Sequence, residues 1–328
     1  MQYRKLGATG LTVSHLCLGT MTFGAQADEA TSRAILDGAA DKGVDFIDTA
    51  DIYPSSEQVG LAEAIVGRWM KGRRERFVIA TKGGGRTGPA AWDRGGSRKH
   101  LLAAVDASLV RLNTDYVDLY QLHMDDPETP LDETLEALDA IVRAGKARYI
   151  GVSNIMAYRL ARSLGRADVL RTARYVCVQP RYNLLFRQIE RELLPLADEE
   201  GLAVIPYNPL AGGLLTGKHR HDAKPADGRF TETVGNAGAM YSERYWHERE
   251  FKTIDTLREI NANTGEPMTK TAIAWVLANP TVTSAIIGAS RVEQLNDSLA
   301  AVDYALDPEI KRQLDEATVE YRFGDAPR

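Results

Sequence analysis

The feature that most constrains the fold is a rhythm. Eight short apolar, β-like runs recur along the chain, each followed by a stretch with helical periodicity. The runs are Leu16 to Leu18, Phe46 to Ile47, Phe77 to Thr81, Tyr116 to Leu122, Tyr149 to Val152, Tyr175 to Gln179, Ala203 to Pro206 and Ser284 to Ile287. Between the fourth and fifth, Pro130 to Gly145 places apolar residues at 131, 135, 138, 141 and 142, one helical face, with Asp132 or a nearby residue as candidate cap and Gly145 as its stop. Strands that alternate with helices pair in parallel, because the helix carries the chain back to the starting edge. Eight such units predict an α/β fold, a closed (β/α)₈ TIM barrel, with no linker or composition shift dividing it from residue 1 to 328. Tyr3 to Leu6 and Leu11 to Ser14 flank Gly7-Ala8-Thr9-Gly10 and predict an N-terminal β-hairpin. Pro308 to Val319 predicts an extra C-terminal helix.

Charge and cysteine usage narrow the class of partner. Lys and Arg total 40 against 45 Asp and Glu, a net charge of −5, and the basic clusters Lys71 to Arg76 and Arg94 to His100 are short and mixed. Neither makes a nucleic-acid stripe. No run approaches the ~18 apolar residues that span a bilayer, and the N-terminus lacks the apolar core of a signal peptide. Cys17 and Cys177 both lie in apolar runs, which suits reduced packing residues rather than a disulfide framework. A cytoplasmic enzyme without nucleic-acid or membrane partners is expected.

In a barrel of this kind the loops after the strands build the active site. The longest, Gly217 to Glu248, follows the seventh run, is rich in Gly, His and Asp, and lacks clear periodicity. A lid or cofactor clamp is expected there rather than a surface loop. Two glycine-rich segments are decoys. Gly83-Gly84-Gly85-Arg86-Thr87-Gly88 has dinucleotide-fingerprint spacing, but Pro89 follows and the next helix opens only near Ser97. Gly212 to His219 resembles a P-loop with His219 where Ser or Thr must meet magnesium.

The chemistry lies in the polar residues that end the strands. Asp48 and Tyr53 follow the second run, Lys82 ends the third and His123 ends the fourth. Singly, each has a dull reading: a helix cap, a surface lysine, a hydrogen-bonded histidine. Four such groups on three successive strand ends favour a site. A tyrosine with a reference pKa of about 10 exchanges protons poorly at neutral pH. A lysine cation beside it lowers that value, an aspartate holds the lysine charged, and a histidine orients a carbonyl oxygen. The set suits protonation of an oxyanion formed by hydride addition. It supplies no electrons, so a nicotinamide reductant is expected. No metal is needed.

From Leu16-Cys17-Leu18-Gly19-Thr20-Met21 to Ile287-Gly288-Ala289-Ser290-Arg291, with Asp48, Tyr53, Lys82 and His123 between, the chain resembles an aldo-keto reductase. The resemblance implies Tyr53 as proton donor, Lys82 and Asp48 as its tuning pair, and His123 as substrate orienter. It implies NADPH/NADP+ lying across the barrel mouth, against Gly19, Thr20, Met21 and Asp48. It places Ser153, Asn154 and Gln179 on the carboxamide, and Tyr207 on the nicotinamide ring. Asn208, Pro209, Leu210, Gly212 and Lys218 resemble the pyrophosphate segment, with Asn208 where many relatives carry serine. Gly288, Ser290, Arg291 and Gln294 match the adenosine-phosphate site, and Arg291 suits a 2′-phosphate. Asp297 and Ser298 stand where the family has a glutamate-type acid and asparagine. Beside Tyr53 and His123, the substrate wall is expected from Phe23, Trp92 and Tyr241 to Trp246.

Ser97-Arg98-Lys99-His100-Leu101 and the long loop resemble the branch containing aryl-alcohol dehydrogenases and potassium-channel β subunits. A carbonyl or alcohol small-molecule substrate is therefore expected, and a homo-oligomer is compatible with that branch. The rival from another class is a cofactor-binding, redox-sensing regulatory subunit. The lack of an extension before the hairpin favours the free-standing enzyme. A Schiff-base isomerase or aldolase built on Lys82 is the second rival, disfavoured because Asp48 would keep the amine protonated.

Overall fold

The computed structural model describes residues 1–223, 225, 228–231 and 236–323. The hairpin forms from β1 (Tyr3–Lys5) and β2 (Thr12–Ser14), paired antiparallel. The eight runs become β3 (Leu16–Gly19), β4 (Phe46–Asp48), β5 (Val78–Gly83), β6 (Val117–Leu122), β7 (Ala147–Ser153), β8 (Tyr175–Gln179), β9 (Ala203–Val204) and β10 (Ala285–Gly288). They form one sheet in the order β10-β3-β4-β5-β6-β7-β8-β9, with every neighbouring pair parallel. The ring closes between its two edges. Thr283 and Ile286 donate their N–H groups to the carbonyls of Val204 and Pro206, both at 2.8 Å, and parallel bridges join Val204 to Val282 and Tyr207 to Ile286. The (β/α)₈ barrel is thus present.

The helices are α1 (Glu29–Asp41), α2 (Leu61–Met70), α3 (Arg98–Leu112), α4 (Leu131–Arg143), α5 (Ala157–Leu170), α6 (Leu193–Glu199), α7 (Asn236–Tyr245), α8 (Glu248–Ala262), α9 (Met268–Leu277), α10 (Val292–Leu299) and α11 (Pro308–Ala317). Ser97 caps α3 by accepting from the His100 N–H, so the glycine-rich segment before it is a loop, as its sequence indicates. Asp132 does not cap α4. Pro130 stands at the N-cap with no side-chain bond, and Asp132 instead takes a two-pronged contact from Arg166 of α5 at 2.9 and 2.6 Å. At α11 the side chain of Asp307 accepts from the N–H groups of Glu309 and Ile310, with Pro308 in the first turn. The aperiodic insertion also departs from expectation, because it contains α7. Its residues 224, 226, 227 and 232–235 lie outside the described ones.

Two apolar cores follow from the alternation of side chains along each strand. Cys17, Phe46, Val78, Ala80, Leu119, Cys177, Ala203 and Ile205 fill the barrel interior, plugged by Leu6 and Val13 of the hairpin. The intervening Leu16, Leu18, Ile47, Ile79, Tyr120, Val178 and Val204 face outward into the larger core beneath the helices. Both cysteines are free and buried. The interior parity matters for function. Two residues beyond Phe46, Ala80, Leu119 and Cys177 stand Asp48, Lys82, Gln121 and Gln179. A period of two aims all four inward at the carboxyl ends of their strands. Among the described residues no helix is long and apolar enough to cross a membrane.

Candidate active site

At the mouth, the structure brings the four strand-end residues together. Lys82 has no exposed surface. Its ammonium donates to Asp48 Oδ2 at 2.5 Å, to the Thr49 carbonyl at 2.8 Å and to the Tyr53 hydroxyl at 3.4 Å. These three acceptors suit the three donors of an ammonium. Asp48 is held from its other side: Oδ1 accepts from Gln121 at 3.1 Å and from Gln179 at 2.9 Å. The edge of the His123 ring meets Tyr53, with centroids 5.6 Å apart and planes at 82°.

The electrostatics fix the protonation states. Burial pushes the Tyr53 phenol up, and the Lys82 charge pulls the other way without overcoming it. This corrects the direction expected from the sequence: in this structure the phenol keeps its proton at neutral pH. Burial alone would lower Lys82, but Asp48 and then Tyr53 outweigh that, leaving the ammonium more firmly protonated than usual. Burial, aided by the Lys82 charge, lowers His123 to about 3, so its imidazole is neutral. Its Nδ1 is buried and accepts or donates no bond among the described residues. A neutral ring leaves one N–H to donate, beside a phenol with a proton to give.

Around this centre the expected cofactor residues form a bonded rim. Thr20 donates from its N–H and its hydroxyl to the Asp48 carbonyl, at 3.0 and 3.1 Å. Ser153 Oγ donates to the Gln179 carbonyl at 2.7 Å. Asn154, in the left-handed region at φ 52°, donates to the His123 carbonyl and to Ser153 Oγ, both at 3.0 Å, and accepts from the Tyr207 hydroxyl at 2.9 Å. The Gln179 amide is turned toward Asp48 and Gln121. Next in the chain, Asn208 accepts from the Gly212 N–H at 2.6 Å and donates to the Tyr245 hydroxyl at 2.9 Å. It therefore braces a short 3₁₀ turn, Ala211–Thr216, in which Gly212 and Gly213 take φ 71° and 105°. A Cβ on Gly212 would lie 2.8 Å from the Tyr241 ring, so glycine is required there for both backbone and space. Pro209 is buried, Leu210 is partly so, and Lys218 is exposed just beyond the turn.

On the adjacent rim, Gln294 Oε1 accepts from the Ser290 N–H at 3.0 Å and from its hydroxyl at 3.1 Å. Arg291 is the exposed N-cap residue of α10. Asp297 is exposed, whereas Ser298 is buried and donates to the Gln294 carbonyl within its own helix. Gly19 and Gly288 pair directly in the sheet, with Met21 just beyond.

Sequence reasoning missed two residues here. Gln121 sits in an apolar run, and only the parity of β6 identifies its inward aim. Arg229 lies in the insertion. Its guanidinium donates to the Tyr241 hydroxyl at 2.6 Å and touches Met21 Sδ at 4.0 Å, and a Cβ on Gly288 would stand 3.4 Å from it. The insertion thus reaches over the ends of β3 and β10, and no local pattern around Arg229 signals that. Of the residues expected on the substrate wall, Trp92 is 57% exposed, with the Lys99 ammonium 5.3 Å from its ring. Phe23 has no exposed surface and packs in the outer core, so it is no longer a wall candidate. Tyr241 and Tyr245 are buried beside the Ala211–Thr216 turn, and Trp246 meets Phe230 at a tilt and Phe251 and His219 edge-on.

Residues 15–318 match the aldo/keto reductase family. The chain is 41% identical over 325 residues to the uncharacterized oxidoreductase YrpG of Bacillus subtilis, covering 96% of this chain and 95% of that one. It is 38% identical to a probable voltage-gated potassium channel subunit beta of Arabidopsis thaliana, with 92% of each covered. It is 36% identical to L-glyceraldehyde 3-phosphate reductase of Escherichia coli, over 92% of this chain and 88% of that protein. A family match across nearly the whole barrel, with relatives of this identity and coverage, makes the chain a member of the aldo/keto reductase family and an oxidoreductase.

Proposed function

We propose that this protein is an NADPH-dependent oxidoreductase that interconverts an aldehyde or ketone and an alcohol. The observation that carries the reading is the chain of contacts from Asp48 through Lys82 to a protonated Tyr53, with a neutral His123 at its edge. The cofactor, when bound, supplies the hydride. The protein's own groups do the rest. His123 donates to the carbonyl oxygen and orients it. Tyr53 gives its proton to that oxygen as negative charge develops there. Lys82 stabilises the phenolate left behind, and Asp48, fixed by Gln121 and Gln179, keeps the lysine aimed at the phenol.

The residues present fit the cofactor. His123 keeps a buried Nδ1 without a partner among the described residues, and Gly212 leaves a bare backbone turn that a Cβ would fill. Ser153, Asn154 and Gln179 would hold the carboxamide, Tyr207 the ring face, and the turn after Asn208 with Lys218 and Arg229 the pyrophosphate. Ser290, Arg291 and Gln294 would hold the adenosine phosphate. A small-molecule substrate in the cytoplasm is part of this reading.

The test is a fluorescence titration with NADPH and with NADH. NADPH is expected to bind about tenfold more tightly or better, and Arg291→Gln to remove most of that difference. No quenching by either cofactor would end the oxidoreductase mechanism proposed here. The likeness to a probable channel β subunit supports a second reading, a regulator that binds the same cofactor and turns over slowly. Turnover across a carbonyl panel separates the two.

A further inference from the structure

Among the described residues most buried or partly buried arginines meet a carboxylate: Arg74 takes Asp118, Arg111 takes Glu63, Arg159 takes Asp125 and Arg187 takes Glu190. Arg181 and Arg244 differ. Both are partly buried, and among the described residues neither guanidinium has a hydrogen bond or an ion pair. Arg181 follows β8 at the mouth, where it bridges to Tyr207. Its guanidinium lies over the Phe186 ring at 3.5 Å and 5.8 Å from the Tyr245 centroid. Arg244 precedes Tyr245 on α7. That tyrosine is anchored through its hydroxyl by Asn183 at 3.1 Å and by Asn208 at 2.9 Å. Both guanidinium charges act on the phenols of Tyr207 and Tyr245, opposing the upward push of burial. The Tyr207 hydroxyl donates to Asn154, which in turn donates to the His123 carbonyl, so Arg181, bridged to Tyr207, stands on the same rim as His123.

Two partly desolvated cations without a counter-charge are costly, and a guanidinium over a ring, as that of Arg181 is, keeps its N–H donors free for a planar or tetrahedral anion. The phosphate-binding candidates Arg229 and Arg291 stand at the ends of β3 and β10, whereas Arg181 follows β8 and Arg244 adjoins the anchored Tyr245. We propose that Arg181 and Arg244 form a substrate-anion subsite, so that the preferred carbonyl substrates carry a carboxylate or phosphate. The proposal rests on the reductase reading above and deepens it.

The experiment compares kcat/KM for 4-oxobutanoate and butanal, two aldehydes of equal chain length, in the wild-type protein and in Arg181→Gln and Arg244→Gln. The wild type should prefer the anionic aldehyde, and each variant should cut that preference about tenfold. NADPH affinity should stay within about twofold, and Arg181→Lys should recover part of the preference. Turnover of butanal with no anionic preference, or a preference that both variants retain, overturns the subsite and leaves the reductase reading intact. A loss of NADPH affinity in the variants assigns the arginines to the cofactor and equally overturns it. Absence of NADPH oxidation with both aldehydes fails the reductase reading and this one with it.

Discussion

Two buried acids three positions apart in the chain have opposite fates. Asp48, at the inward-facing end of β4, is bonded on both oxygens by Lys82, Gln121 and Gln179. Asp51 is equally buried, yet neither of its oxygens has a partner among the described residues. Burial, reinforced by the nearby Glu63 charge, lifts it to about 8, so it is neutral at pH 7. Glu63 itself is satisfied by Arg111 at 2.7 Å and by the Thr81 hydroxyl at 2.5 Å. The two clusters share strand β5: Lys82 turns into the barrel, while Thr81 turns out toward α2 and α3. The lesson concerns exposure rather than charge. Both clusters pair a cation with a buried carboxylate, but only the inner one has a phenol at its edge that reaches the mouth. The outer one is sealed beneath helices and holds the fold.

The sharpest way to break this contrast is Tyr53→Phe. Removing the proton donor should lower kcat by about 10²- to 10⁴-fold, the usual worth of a general acid. NADPH quenching should survive, because the ring and its neighbours remain. Full turnover in this variant would move the chemistry elsewhere. In the outer cluster the expected effect is on stability instead. Arg111→Met leaves Glu63 buried without its ion partner, which typically costs about 3–5 kcal/mol. Denaturant unfolding should show that loss, while kcat per folded molecule changes little. A fall in kcat comparable to that of Tyr53→Phe would show that the two clusters act as one.

How much of this could be read from the sequence depended on whether the signal was local. All eight barrel strands were legible, because an apolar run bounded by helical periodicity is a short-range pattern. Their ends were less so: β5 extends to Gly83 because Lys82 and Gly83 pair with Gln121 and Leu122, a fact about the neighbouring strand. Asp48, Tyr53, Lys82 and His123 could be named because each stands at or soon after the end of an apolar run. Gln121 could not, since a polar residue inside an apolar run means nothing until the strand's parity is known. The α7 helix went unread because its buried tyrosines, 241 and 245, are the main periodic mark in a segment of otherwise mixed composition. Arg229 acts across some 200 residues of sequence on Met21, a contact that only the assembled barrel creates. Asp132 illustrates the reverse failure: a good capping residue by type, drawn away by Arg166 on the next helix.

The smallest expected effect is also the most specific to the contrast. An acid raised to about 8 in the folded chain, against 3.8 ordinarily, holds its proton more tightly when folded than when unfolded. Its contribution to stability is therefore complete below about pH 4, declines as the unfolded chain ionises, and is fully lost above about pH 8. Asp51→Asn replaces a neutral acid by a neutral amide of similar shape and removes this linkage. The wild-type Tm should fall between pH 5 and pH 8 by more than that of Asp51→Asn, and the two proteins should differ least at pH 5. Turnover at pH 7 should be unaltered, since Asp51 touches neither the phenol nor the lysine ammonium. Parallel Tm curves across that range would mean that Asp51 is ionised in the folded protein, and the distinction drawn between the two acids would collapse to one of position alone.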